Sequence, residues 1–286
     1  MSTYYSPLRY PGGKNCIFPF MGQLFYENDL IGISYAEPYA GGAGLALRLL
    51  FEGYVEHVYL NDLDKSIFSF WVSILERTDE FCKWIEDVEV SVDMWDQYKA
   101  IQNNSENIDC FDIAKSTFFL NRTNVSGILK GGIIGGREQK GKYKLDVRFN
   151  KQDLINRIRK IASVKQNISV SNLDGLQFIS KLNRKKEEVF IYLDPPYFIK
   201  GSKLYMNFYL NEDHKKLSRY VRKMKNRWMI SYDKSDFILN LYKERKIAYK
   251  LSQSASNKVE NEVLIFSSEL DYLNSMKALK SPIHIL

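Results

Sequence analysis

Short runs rich in β-branched and aromatic residues recur at 33–37, 57–62, 168–171, 189–193 and 228–232, with helical periodicity between them. Strands that alternate with helical segments bury both faces of a parallel sheet under crossover helices, so the pattern predicts an α/β fold. Two more runs, 247–252 and 262–267, are joined by the polar stretch 253–261, which is too short for a crossover helix. They predict a terminal antiparallel hairpin. Within 211–227, Leu217, Tyr220, Val221 and Met224 recur at helical spacing and leave the Lys and Arg residues on the opposite face. Residues 66–163 interrupt the rhythm with mainly helical, aromatic-bearing sequence and a glycine-rich loop at 127–137. The expected organisation is therefore a main domain of 1–65 and 164–286 with an inserted subdomain at 66–163, whose core takes Trp71, Trp84 and Trp95.

Composition narrows the class. The chain has 286 residues, 45% hydrophobic and 26% charged, which excludes both a disordered chain and a disulfide-stapled miniprotein. Cys16, Cys82 and Cys110 form no Cys-x-x-Cys pair, and His57 and His214 have no partners at metal-ligand spacing. No disulfide framework and no metal site are indicated, and a reducing cytoplasm is the expected compartment. No apolar run is long enough to span a membrane, and the first residues carry no signal-peptide core.

The net charge of +7 is unevenly placed. Residues 130–160 hold ten basic and three acidic groups, and 200–227 hold nine basic and two acidic ones, so the rest of the chain is net acidic. Basic segments on an acidic body suit a partner with a phosphate backbone, because each neutralised phosphate releases counterions.

Candidate chemistry gathers at strand ends. Glu37-Pro-Tyr-Ala-Gly-Gly-Ala-Gly44 follows one strand and opens a helix, a context in which backbone approaches a ligand closely beside a positive helix terminus. Asp62 closes the next strand 18 residues after Gly44, where a carboxylate accepts hydrogen bonds from a ribose diol. Together they indicate an adenosine-containing cofactor. Tyr10-Pro-Gly-Gly-Lys14 lacks the first glycine and the Ser or Thr of a phosphate-binding P-loop. Asp194-Pro-Pro-Tyr197 ends the apolar strand 189–193. Its prolines donate nothing and fix φ, leaving the Asp194 carboxylate and Pro195 carbonyl as acceptors beside the Tyr197 ring. These parts suit a planar heterocycle with an exocyclic amine, whose nitrogen becomes more nucleophilic when acceptors draw on both of its hydrogens. Asp174 follows the strand 168–171, where it either bonds the cofactor adenine or caps a helix.

At this point the chain resembles the DNA adenine-N6 methyltransferases of the Dam-like class. The resemblance rests on the ordered set Arg9-Tyr-Pro-Gly-Gly-Lys14, the 37–44 motif, Asn61-Asp-Leu-Asp64, Asn121-Arg-Thr-Asn-Val-Ser-Gly127, Asp194-Pro-Pro-Tyr197 and Glu262-Val-Leu-Ile265. It implies a Rossmann-like S-adenosylmethionine-dependent methyltransferase sheet with an inserted target-recognition subdomain. It also implies double-stranded DNA as partner, methyl transfer to N6 of a flipped adenine, and S-adenosylhomocysteine as product. The catalytic set carried over is Asp194, Pro195, Pro196 and Tyr197. The cofactor set is Tyr10, Gly12, Gly13, Lys14, Glu37, Pro38, Tyr39, Gly41, Gly42, Gly44, Asp62, Asp174 and Asp194. The DNA-binding set is Asn121, Arg122, Asn124, Lys130, Arg137, Lys140, Lys142 and Lys144, with Arg137 reading a guanine or touching a phosphate.

Two positions depart from the family pattern. Ala43 stands where many members have a second glycine, and Ser126-Gly-Ile-Leu-Lys-Gly-Gly132 replaces the Asn-Gly-Leu-x-Arg of GATC-specific members. Cytosine-N4 methylation, RNA adenine methylation and a catalytically inactive DNA-binding regulator with a vestigial cofactor site stay open as alternatives, as does a cognate restriction endonuclease as partner.

Overall fold

The computed structural model describes residues 4–10, 12–199, 209–252 and 259–285. Pro11, positions 200–208 of the second basic segment and positions 253–258 of the polar connection lie outside the described residues. The chain forms two compact units, one of Lys14–Leu63 with Asn167–Leu286 and one of Met1–Gly13 with Asp64–Gln166.

The first unit carries the sheet. Its strands are β1 (Ser34–Glu37), β2 (His57–Asn61), β3 (Ile168–Ser171), β4 (Val189–Leu193), β5 (Trp228–Asp233), β6 (Lys246–Ser252), β7 (Val259–Phe266) and β8 (Ile283–Ile285). They lie in the order β3-β2-β1-β4-β5-β7-β6-β8. The first five pair in parallel, whereas β7 runs antiparallel to both β5 and β6, and β8 antiparallel to β6. This is a Rossmann-like order that reverses between β1 and β4, the place where such sheets take ligands at their carboxyl ends.

In chain order the helices are α1 (Phe18–Glu27) and α2 (Gly44–Phe51); then α3 (Lys65–Glu76), α4 (Thr78–Asp87), α5 (Val92–Asn103), α6 (Cys110–Thr123) and α7 (Lys151–Ala162) of the second unit; then α8 (Gly175–Leu182), α9 (Asn211–Val221) and α10 (Asp236–Leu241).

The two sheet faces differ in chemistry. One presents Ala36, Ile191, Leu193, Ile230, Tyr232, Val263 and Ile265, packed under α8, α9 and α10 in a continuous apolar core. There Leu217 and Val221 are fully buried, as the periodicity predicts, with Tyr220 and Met224 at the margin. The other face begins with Tyr35, Phe190 and Phe266, which meet Phe20 and Phe25 of α1. Toward the carboxyl ends the same face turns polar. Strand pairing sets Asp233 opposite Glu262 and Glu262 opposite Tyr249, and Ser231 bonds Asp194 across β5 and β4.

The second unit is helical around an aromatic core in which Phe70 stacks on Phe118 and Phe81 meets Phe70, Phe111 and Phe118 edge-on. Trp71 and Trp95 are buried in it, while Trp84 is half-buried with its indole N–H donated to Tyr98. Asp64, Ser91, Asp109 and Asn150 cap α3, α5, α6 and α7 by accepting from backbone N–H groups of the first turn.

The described residues before Lys14 group with this unit, although the sequence reading assigns 1–65 to the sheet domain. The reason is local. The Asn121 amide clamps Arg9 by accepting from its N–H and donating to its carbonyl, both at 2.8 Å, while Arg122 and Arg157 donate to the Pro7 and Ser6 carbonyls. Among the described residues no helix is long and apolar enough to cross a membrane.

Candidate active site

The carboxyl edge of the sheet assembles most of the expected site inside the first unit. β1 delivers Glu37, 6% exposed, whose Oε1 accepts from the Tyr35 hydroxyl at 2.9 Å and from Ala46 N at 3.2 Å. Burial is the main force on this carboxyl and Asp194 adds to it, so that its pKa is pushed up to about 8 against the pull of the two hydrogen bonds.

Beyond Pro38 and Tyr39 the chain turns through Gly41 and Ala43, both at φ +46°, into α2, which begins at Gly44 with no side-chain cap. Ala43 thus adopts the left-handed conformation itself, at the position where a second glycine is commoner. Asp62 sits just past β2 and accepts from Gly41 N at 2.9 Å. The neighbouring Asn61, 1% exposed, spends its whole amide on the ends of adjacent strands. It donates to the Pro38 and Leu173 carbonyls and accepts from Leu173 N and the Ser171 hydroxyl. Asp174 caps α8 through Oδ1, taking Leu176 N and Gln177 N. Tyr39 exchanges a hydroxyl bond of 2.7 Å with Tyr209 and stands so close to Gly175 that a Cβ there would lie 2.7 Å from its hydroxyl.

The acceptor loop follows β4, whose residues are all buried. Asp194 Oδ1 accepts from Ser231 at 2.6 Å, and Oδ2 lies 3.2 Å from the Lys14 ammonium. Burial raises its pKa, with Lys14 drawing it down and Glu262 pushing it up. Pro195, Pro196 and Tyr197 are buried behind it. The next two backbone N–H groups, of Phe198 and Ile199, both end on the Asp233 carboxylate at 2.9 and 2.7 Å. Lys14, only 5% exposed, meets Asp194, the Tyr197 hydroxyl and Glu262.

Ser231, Asp233, Tyr249 and the role of Glu262 are not in the expected site. No local signal marks them, because they meet only through the placing of β7 between β5 and β6.

The other expected residues are in the second unit. Gly13 N closes a turn onto the Tyr10 carbonyl, with Gly12 at φ +78° between them. Asn121 and Asn124 were expected to touch DNA, but both are buried and their amides are consumed internally. Asn121 holds Arg9 and Gly127, and Asn124 takes the Trp95 indole N–H and donates to the Ile128 and Leu129 carbonyls. They brace the glycine-rich loop from within. Arg122 is half-buried, donates to the Arg148 carbonyl, and has burial and the guanidiniums of Arg9, Arg157 and Arg148 working against its charge. Lys130, Arg137, Lys140, Lys142 and Lys144 are exposed. Arg137 is not an open fork, because both of its terminal nitrogens grip Asp96 at 2.8 and 2.7 Å.

A Rossmann-like sheet with a glycine turn after β1, a carboxylate after β2 and an Asp-Pro-Pro-Tyr loop after β4 defines the class of S-adenosylmethionine-dependent methyltransferases. The family model of the D12 class N6 adenine-specific DNA methyltransferases matches residues 10–255, and the chain belongs to that family. No curated protein matches the sequence.

Solved structures that align with it include a candidate RNA methyltransferase from Pyrococcus horikoshii, at 11% identity and TM-score 0.42, over 91% of this chain and 86% of that one. TrmN from Thermus thermophilus aligns at 11% identity and TM-score 0.39, over 87% of this chain and 48% of that one. A candidate methyltransferase from Escherichia coli, yhhF, aligns at 9% and 0.36, over 91% and 92%. The class follows from the family match and the strand order, not from these distant likenesses.

S-adenosylmethionine is the methyl donor of this family, and the edge residues fit it. A buried carboxyl as reluctant to ionise as Glu37 is matched by a cationic ligand, an uncapped helix start by a ligand carboxylate, and Asp62 by a diol.

Proposed function

We propose that the protein methylates N6 of adenine in duplex DNA at a specific site, flipping the target base out of the helix. The observation that carries this reading is the acceptor loop: a carboxylate pinned by Ser231 and Lys14, next to a proline carbonyl and an aromatic ring, at the ligand edge of the sheet. The donor supplies a methyl group activated by positive sulfur. The protein's part is to hold the amine in line with it and to take up charge as the new bond forms. Asp194 and Pro195 accept the two amino hydrogens, Asp194 receives the proton that the nitrogen gives up, and Tyr197 offers its ring to the base.

Flipping is part of the reading because a paired amino group lies inside the base stack, where enzymes that act on it take the base out. The exposed Lys130, Arg137, Lys140, Lys142 and Lys144 of the second unit would offset the unstacking cost through phosphate contacts. Together with Arg122, they make that unit the target-recognition part.

The test supplies unmethylated DNA and RNA with labelled S-adenosylmethionine, then identifies the modified base after digestion. Label in N6-methyladenine of DNA at a recurring sequence is expected. Label in RNA alone, or in cytosine, would replace this reading with one of the alternatives. Asp194→Ala should abolish transfer while cofactor affinity, measured by calorimetry, changes little, and transfer near the wild-type rate would remove Asp194 from its role.

A further inference from the structure

Glu262 opens the late Glu-Val-Leu-Ile motif, and no step above uses it. It lies on β7, 1% exposed, with both oxygens committed. Oε1 accepts from the Tyr197 hydroxyl at 2.6 Å and from the Lys14 ammonium at 3.4 Å, and Oε2 accepts from the Tyr249 hydroxyl at 2.6 Å. The Tyr197 hydroxyl also accepts from Lys14 at 2.6 Å, and Lys14 reaches on to Asp194 at 3.2 Å. Lys14, Tyr197 and Glu262 thus close a three-membered circuit from which one arm extends to the reacting carboxylate and another to β6.

Such a circuit is a costly way to hold a strand in place. A buried ion pair generally stabilises no better than apolar residues of similar volume, so stability alone does not explain a carboxylate here. What the carboxylate does provide is direction. A phenol tied at its hydroxyl to two fixed partners has its ring plane fixed as well, and an ammonium shared between two carboxylates cannot swing away from either.

We propose that Glu262 is a positioning residue for methyl transfer, fixing the Tyr197 ring through its hydroxyl and holding Lys14 against Asp194 before the substrate arrives. The proposal rests on the reading above only in giving Tyr197 and Asp194 their roles.

The test is a double-mutant cycle of Glu262→Gln, which keeps volume and removes charge, and Tyr197→Phe, which keeps the ring and removes the hydroxyl. For wild type, both single variants and the double variant, kcat, cofactor Kd and the melting temperature are measured on whichever nucleic acid the wild type methylates. Each single change should lower kcat by on the order of ten- to a hundredfold, as small misplacements of reacting groups do. Cofactor Kd should stay within about twofold, and the double variant should be no slower than the slower single one, because both remove the same link.

Losses in kcat that multiply, while the melting temperatures show coupling, would give Glu262 a purely stabilising role and overturn the proposal, as would a wild-type kcat in Glu262→Gln. Should that variant not fold, Tyr197→Phe alone decides: a wild-type rate overturns the proposal and a slowed one upholds it. A wild type active on RNA and not DNA would overturn the reading above, leaving the cycle to be read on RNA.

Discussion

Glu37, on the proposed cofactor edge, would couple ligand charge to protons. Its carboxyl is largely protonated at neutral pH because burial and Asp194 oppose ionisation, and a cationic ligand nearby reverses that balance. The sign follows: binding favours the ionised form, so cofactor binding near neutral pH releases a proton, and affinity rises with pH until Glu37 is ionised without help, near its raised pKa of about 8. Calorimetry at pH 7 in buffers of different ionisation enthalpy should detect this proton release in the wild type and lose it in Glu37→Gln. An unchanged release in the variant would place the proton elsewhere.

At the scale of elements, the carboxyl edge of the sheet depends on how strand ends are tied together. Asn61 joins the chain beyond β1 to β3 and the chain beyond it with one amide, using two donors and one doubly engaged acceptor. Asn61→Asp is nearly isosteric, yet it turns two donors into an acceptor facing the Pro38 and Leu173 carbonyls. Thermal and urea unfolding should show a loss of about 2 to 4 kcal/mol, from two broken bonds and a buried charge that keeps the Leu173 N and Ser171 donors but is set against two carbonyl oxygens. Cofactor affinity should fall with it, and a variant as stable as the wild type would show that the loops hold without this amide.

The elements themselves were largely legible. β3 and β4 stand at the bounds that periodicity predicts, and α2 and α9 begin within a residue of theirs. β8 escaped because three residues carry no period, and β7 begins earlier than expected because its first residues read as polar connection. Of the proposed site, the sequence singles out Asp194, Glu37 and Asp62 because each stands at the end of a strand-forming run. Ser231, Asp233 and Tyr249 are not singled out, since their meaning depends on which strands become neighbours. The antiparallel insertion of β7 beside β5 is a tertiary fact that no local pattern states. Asn121 and Asn124 misled for the opposite reason: polar residues near a glycine-rich loop look like binding groups until burial shows that they hold the loop together.

At the scale of the whole molecule, charge is balanced locally even where the sequence concentrates it. Arg137 is paired with Asp96, Lys140 with Glu138, Lys215 with Glu212 and Arg222 with Glu244. Apart from the half-buried Arg222–Glu244 pair these are exposed, and exposed pairs exchange readily for other anions. Asp96→Ala should therefore release the Arg137 fork and strengthen DNA binding about equally on every sequence, with the salt dependence steepening by about one phosphate. Arg137→Ala should do the reverse. Anisotropy titrations over a range of salt and a panel of single-base variants would check both, and a loss confined to one base position would show that Arg137 reads that base.

The bond between Lys14 and Glu262 spans 248 residues of chain, so the acceptor loop is anchored by an early and a late part of the sheet-bearing unit. Contacts of such separation form late, because the loop they close has to lose its entropy first. During translation the glycine turn, Asp62 and Asp174 all emerge well before β6 and β7 do. A growing chain thus has its glycine turn and the carboxylates beside it in hand before Tyr197 has its partner on β7, so the acceptor loop is the part of the sheet edge that is completed last.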